Sequence, residues 1–192
     1  MVVLKKDGYL VEERRTRRIN GVDWPLIQAQ TMVGISRLNN IQTLLEDVLD
    51  KGIEGDVIET GVWRGGASIF MRAVLKANNI SDKSVWLCDS FDGLPKPEPD
   101  KYPADIDDMH YTYDFLAVSQ ETVEDNFAKY DLLDDKVCFV QGYFEDTLAD
   151  IPAEKFCLLR LDGDMYSSTI ISLEALYPKL SKGGYVIIDD FG

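Results

Sequence analysis

Histidine is almost missing from this 192-residue chain, with one copy at His110, and cysteine occurs three times. With so little histidine, carboxylates are the main groups available for acid–base work. An odd cysteine count with no C-x-x-C supports neither a disulfide framework nor a zinc site. Cys88, Cys138 and Cys157 each lie in a short apolar run, the setting of reduced, buried thiols in a cytoplasmic protein. No apolar run approaches the roughly 20 residues of a membrane span, and the first seven residues lack a signal-peptide core. Positive charge is also short: 20 Lys and Arg face 34 Asp and Glu, a formal net charge of −14. That balance argues against nucleic acid or an anionic membrane as a partner, and solubility is its simplest account. What remains, 45% hydrophobic and 28% charged residues, suits one soluble domain with a substantial core. There are no internal repeats and no low-complexity tract.

The most informative stretch is Asp56-Val57-Ile58-Glu59-Thr60-Gly61-Val62-Trp63-Arg64-Gly65-Gly66-Ala67-Ser68. An apolar strand meets an acid, then a glycine-rich turn, then a helix opening on small residues. This is how α/β proteins build a nucleotide cradle: glycines admit a sharp turn and a close ligand, and the helix start offers unpaired N–H groups. The spacing of Gly61, Gly65 and Gly66 departs from the G-x-G-x-x-G of a dinucleotide site. Glu59 would repel a pyrophosphate and suits a cationic or hydroxyl-bearing ligand. S-adenosylmethionine fits that description, with a sulfonium, an ammonium, a ribose diol and no phosphate.

From about residue 35 onward, helix and strand patterns alternate. Apolar spacing predicts helices over residues 35–49, 68–77, 119–130 and 168–180, the third with Ser119 as its N-cap. Strands are predicted at 57–58, 85–88, 137–140, 156–161 and 185–188. Continuously apolar strands joined by helices point to a parallel sheet covered on both faces. Residues 92–118 break the pattern, being rich in Pro, Asp and Tyr. They follow the second predicted strand, on the edge where open α/β sheets bind ligands. A loop of that length reads as a substrate lid or as disorder, and the position favours a lid.

Two acidic features end strands. Asp89 closes the second and could accept a ribose diol or cap a helix. Asp162 and Asp164 close the fourth and Asp189-Asp190 the fifth, so parallel strands would bring these acids to one cleft. Crowded carboxylates repel unless a cation joins them or one takes a proton, and Mg²⁺ is the natural occupant. Helix capping is the alternative for Asp164 and for one of the pair. Gln141-Gly142-Tyr143-Phe144 could flank an adenine or form a packed turn. A lone loop histidine such as His110 reads first as a solvent-facing residue.

These stretches resemble the macrocin O-methyltransferase family (TylF/MycF type), and the match spans nearly the whole chain. It runs through Thr31-Met32-Val33-Gly34, Ile58 to Gly66, Asp89-Ser90-Phe91-Asp92-Gly93-Leu94-Pro95 and Gly142-Tyr143-Phe144. It closes with Leu159-Arg160-Leu161-Asp162-Gly163-Asp164 and Asp189-Asp190-Phe191-Gly192. Tyr143 stands where the family usually has tryptophan. The resemblance implies a Rossmann-like, mostly parallel methyltransferase sheet with helices on both faces. It also implies S-adenosyl-L-methionine- and Mg²⁺-dependent methylation of a hydroxyl, on a sugar of a macrolide-like natural product. By position Glu59, Thr60, Gly61, Ser68 and Asp89 would line the cofactor site, with Ser119 and Gln141 as weaker members. Asp162, Asp189 and Asp190 would hold the metal, and Asp162 would take the acceptor's proton.

The expected organisation is one domain over residues 1–192, C-terminally incomplete and lacking the family's last two strands. Residues 1–52 are expected to form a helical cap and 92–118 the lid. The partner is a small hydroxylated substrate, with self-association open. A non-catalytic S-adenosylmethionine-binding fragment is the main rival reading. A nicotinamide-dependent oxidoreductase is disfavoured by the missing glycine fingerprint and the clustered aspartates.

Overall fold

In the computed structural model the described residues are 2–6, 9–13 and 29–189. The first two segments pair as an antiparallel hairpin, β1 (Val2–Lys6) and β2 (Tyr9–Glu13). Five further strands make the main sheet: β3 (Asp56–Thr60), β4 (Val85–Asp89), β5 (Val137–Gln141), β6 (Phe156–Leu161) and β7 (Leu180–Ile188). All are parallel, in the order β5-β4-β3-β6-β7. Between them run α1 (Ile35–Asp50), α2 (Gly66–Ala77), α3 (Gln120–Ala128), the short α4 (Phe144–Thr147) and α5 (Tyr166–Leu176).

The two-residue period of the strands splits their side chains between two cores. Val57, Val85, Leu87 and Leu158 pack with Ile41, Leu45 and Val48 of α1, Met71 and Leu75 of α2, and Phe127 of α3. On the other face Ile58, Cys88, Leu159 and Leu161 pack with Leu148, Ile151 and Leu176. All six residues of β6 are buried, which explains why it is apolar at every position but Arg160. The three thiols are free, and burial pushes each of them up in pKa.

Three expectations shift. The predicted helix over 168–180 is α5 followed by a 3₁₀ turn at Tyr177–Lys179, because Pro178 cannot donate to a continuing helix. β7 begins at Leu180, well before the predicted 185, and its pairing with β6 slips between Phe156 and Leu158. Gly183 and Gly184 hide that start, since neither carries a side chain that would read as strand. The cap expected to be helical over 1–52 contains a hairpin and α1 in its described parts, and residues 14–28 lie outside the described residues.

From β3 the chain builds outward to β5, then crosses back to place β6 on the other side of β3. That reversal opens a crevice at the carboxyl ends of β3 and β6, the usual ligand position in such sheets.

Candidate active site at the carboxyl edge of the sheet

The crevice is shaped by glycine. Gly61, just after β3, has φ +83°, and a Cβ there would stand 1.7 Å from the Asp162 carbonyl oxygen. The ends of β3 and β6 can meet this closely only without a side chain. Gly66 opens α2 against the segment before α1: its N–H donates to the Gln30 carbonyl at 2.8 Å. A Cβ on Gly66 would meet that same oxygen at 2.4 Å.

Asp89, at the end of β4, braces this turn. Its Oδ2 accepts the Val62 N–H at 2.7 Å and its Oδ1 the Phe91 N–H at 2.8 Å. Burial raises its pKa, against the opposing pull of those N–H groups. Asp89 also lines an open cavity of about 820 Å³, counting the solvent at its mouth. Gly61, Trp63 and Ser90 form one part of its wall, and Asp162, Gly163 and Asp164 another. Leu94, Pro95 and Leu116 reach it from the 92–118 segment, and Ser167, Ser168 and Ile171 from α5. A smaller recess of about 270 Å³ shares Met32, Gly61, Trp63 and Asp162 with it and extends to Glu59 and Arg160.

Glu59 and Ser68 sit differently from open ligand contacts. They are 2% and 0% exposed, and the Ser68 hydroxyl donates to the Glu59 carboxylate. Burial pushes Glu59 up to about 7, although Arg160 and Ser68 pull the other way. Thr60 is buried within β3. Ser119 caps α3, accepting the Thr122 N–H at 3.3 Å, and Gln141 is exposed at the end of β5. Neither lines the cavity.

Arg160 is the residue that sequence reasoning missed. It is 1% exposed inside β6, yet its guanidinium serves three carboxylates. Nη1 donates to Glu59 and, at 2.7 Å, to Asp162 Oδ2, while Nη2 donates to Asp189. Burial works against the charge, but the three neighbouring carboxylates outweigh it and raise the pKa. Arg37 adds a second cation, 2.8 Å from Asp189 Oδ1. The convergence of Asp162 and Asp189 expected from the parallel strands is thus present, and arginine joins them. A signal was available: a charged residue in an otherwise apolar buried strand needs partners.

Asp190 lies outside the described residues, and among those described no group of three or more His, Cys, Asp or Glu is arranged to hold a metal ion. Asp162 and Asp189 would offer a hard cation carboxylate oxygens, and in this structure Arg160 and Arg37 hold those oxygens. Asp164, expected as a possible cap, lies on the cavity wall with φ +60°. Burial first, then the charge of Asp162, pushes its carboxyl up to about 6, with His110 opposing. His110 sits in the 92–118 segment, with Nδ1 2.8 Å from Asp108 Oδ2.

This sheet order, with a glycine turn after β3 and acids at the ends of β4, β6 and β7, is that of the Rossmann-like α/β class. The family model of macrocin-O-methyltransferase (TylF) matches residues 4–192, and the chain belongs to that family. It is thereby an O-methyltransferase by class. It is 50% identical over 175 residues to 8-demethyl-8-(2,3-dimethoxy-alpha-L-rhamnosyl)-tetracenomycin-C 4'-O-methyltransferase of Streptomyces olivaceus, covering 91% of this chain and 67% of that one. It is 47% identical over 188 residues to mycinamicin III 3''-O-methyltransferase of Micromonospora griseorubida, covering 96% and 72%. The solved structure of the O-methyltransferase NovP superposes with a TM-score of 0.88 at 49% identity, over 93% of this chain and 74% of that one.

Proposed function

We propose that this protein transfers the methyl group of S-adenosyl-L-methionine to a hydroxyl on a sugar of a natural product, with Mg²⁺ at the acid-bearing end of the cavity. One observation carries the reading: a single cavity bounded by Gly61, Asp89 and Ser90 and also by Asp162-Gly163-Asp164. It supports a donor seat and an acceptor seat facing one another. The rhamnosyl-tetracenomycin and mycinamicin names of the two relatives support the acceptor class.

S-adenosylmethionine supplies, when bound, a methyl on a sulfonium whose departure leaves a neutral thioether. Mg²⁺ held by Asp162 and Asp189, with Asp190 as the third ligand, would supply a Lewis acid for the acceptor oxygen. The protein's residues do the rest. Asp162 takes the hydroxyl proton, and the acceptor oxygen forms its bond to the methyl carbon in line as the carbon–sulfur bond breaks. Arg160 holds Asp162 and Asp189 at the crevice. Asp89 fixes the glycine turn through the Val62 N–H. Leu94, Pro95, Leu116 and Trp63 give the cavity an apolar wall.

One observation favours a second assignment of the proton acceptor. Asp162 Oδ2 is already engaged by Arg160, whereas Asp164 lines the same cavity. Comparing Asp162→Asn with Asp164→Asn decides between them.

The first experiment is calorimetric titration of S-adenosylhomocysteine with Mg²⁺ and then with chelator. Turnover on a panel of sugar-bearing acceptors that includes mycinamicin III follows, read by mass spectrometry. Saturable binding with methylated product is expected. Binding without product on any acceptor would favour the non-catalytic reading. If Asp162→Asn transfers methyl at near wild-type rate with Mg²⁺ present, both roles given to Asp162 fail.

A further inference from the structure

The 92–118 segment is tied to walls of the cavity by hydrogen bonds at Asp105 and Phe115, and Tyr102 adds a tilted ring contact with Tyr166. Asp105, at the end of a 3₁₀ turn (Pro103–Asp105), is 4% exposed. Its Oδ1 accepts the N–H of Tyr166 at 2.8 Å, and its Oδ2 accepts the N–H of Ser167 at 3.0 Å. These are the opening N–H groups of α5, whose own N-cap is Met165, a residue with no side-chain oxygen to offer them. A helix start beside the cavity is therefore capped from the lid, 61 residues upstream in sequence. The second tie is the Trp63 indole N–H, which donates to the Phe115 carbonyl at 2.8 Å.

The position of the Asp105 tie decides what it controls. α5 begins directly after Asp162-Gly163-Asp164, so Asp105 seats the lid against the acid-bearing end of the cavity. The glycine turn and Asp89, at the other end, are braced independently of it through the Val62 N–H. Between the ties the segment has only 3₁₀ turns, at His110–Thr112 and Asp114–Leu116, and few buried side chains to hold it closed. A segment this weakly packed takes its closed position from its anchors.

We infer that Asp105 is a positioning residue that latches the 92–118 segment over the acceptor end of the cavity. The inference rests on the methyl-transfer reading of that cavity. The latch shapes acceptor binding and leaves the donor seat alone.

The test uses the full chain with Asp105→Ala and Asp105→Asn, and Asp107→Asn as an exposed control for the change in charge. Amide hydrogen exchange is followed across residues 92–118, and acceptor KM is measured on the best acceptor of the wild-type protein. Losing a two-bond carboxylate cap corresponds to about a tenfold rise in acceptor KM. Asp105→Ala should show that rise and faster exchange in the segment, with S-adenosylhomocysteine affinity within about twofold of wild type. Asp105→Asn should fall between, because its amide oxygen still accepts one N–H, and Asp107→Asn should match wild type. Unchanged exchange and unchanged KM in Asp105→Ala would overturn the latch. So would a matching loss of S-adenosylhomocysteine affinity, which would mean general loosening. If the wild-type protein methylates nothing, the function reading fails, and the exchange comparison still decides whether Asp105 holds the segment.

Discussion

Replacing Arg160 with methionine tests how the acid-lined crevice is held. The residue is 1% exposed and its guanidinium joins Glu59, Asp162 and Asp189. Methionine keeps an unbranched apolar stem of similar reach, so the substitution removes charge and hydrogen bonds more than volume. Three carboxylates would then face one another, with Arg37 beside Asp189 as a remaining cation among the described residues. That arginine's side chain is 56% exposed where it meets Asp189, so solvent screens much of its help. Breaking a buried ion pair costs about 3–5 kcal/mol, and for a chain of this size that lowers Tm by about 6–20 °C. Thermal melts followed by circular dichroism near neutral pH measure it. Because the loss is a large part of a typical total stability of about 5–15 kcal/mol, the double variant Arg160→Met/Glu59→Gln belongs in the same experiment. Removing the most deeply buried carboxylate should return part of the stability, so the two changes are non-additive. Arg160→Lys should fall short of wild type, since a single ammonium cannot fork to three acids. A Tm for Arg160→Met within about 2 °C of wild type would refute the reasoning, because the cluster would then not depend on the guanidinium.

Two further outcomes follow from the same geometry. Burial holds Glu59 up at about 7, above its ordinary 4.5, so the folded state keeps a proton there that the unfolded chain releases. The associated stability is fully present below about pH 4.5 and lost as pH rises through about 7. Wild-type Tm should therefore fall relative to Glu59→Gln across that window, and a pH-independent difference between the two melts would contradict it. Gly61→Ala must displace the Asp162 carbonyl from a 1.7 Å overlap at φ +83°. It should destabilise by about 3 kcal/mol or more and abolish calorimetric binding of S-adenosylhomocysteine, whereas an unchanged melt and titration would show that the crevice can open freely.

Much of this fold was legible residue by residue. The largely apolar β6 announced a strand covered on both faces, and the Glu59 to Gly66 stretch announced a turn between β3 and α2. The ends of β4 and β6 marked Asp89 and Asp162 as acids on one edge. Where sequence reading slipped, the cause was local silence: Gly183 and Gly184 carry no pattern that reveals the start of β7. Pro178 ended α5 earlier than its apolar period suggested. The three 3₁₀ turns of the 92–118 segment are too short to leave a periodic trace.

The candidate site divides along a different line. Sequence by itself determined which residue types stand at each strand end, because a strand's direction and its following turn are set within a few neighbouring positions. Only the tertiary structure decided what those residues touch. Glu59 and Ser68 became partners inside the protein, Asp89 became the brace of the glycine turn, and Arg160 joined acids 101, 2 and 29 residues away. Asp105 found the start of α5 across 61 residues. The reason is physical: a buried charge or an orphaned helix N–H must be satisfied, but the chain can supply the partner from anywhere that folding brings near.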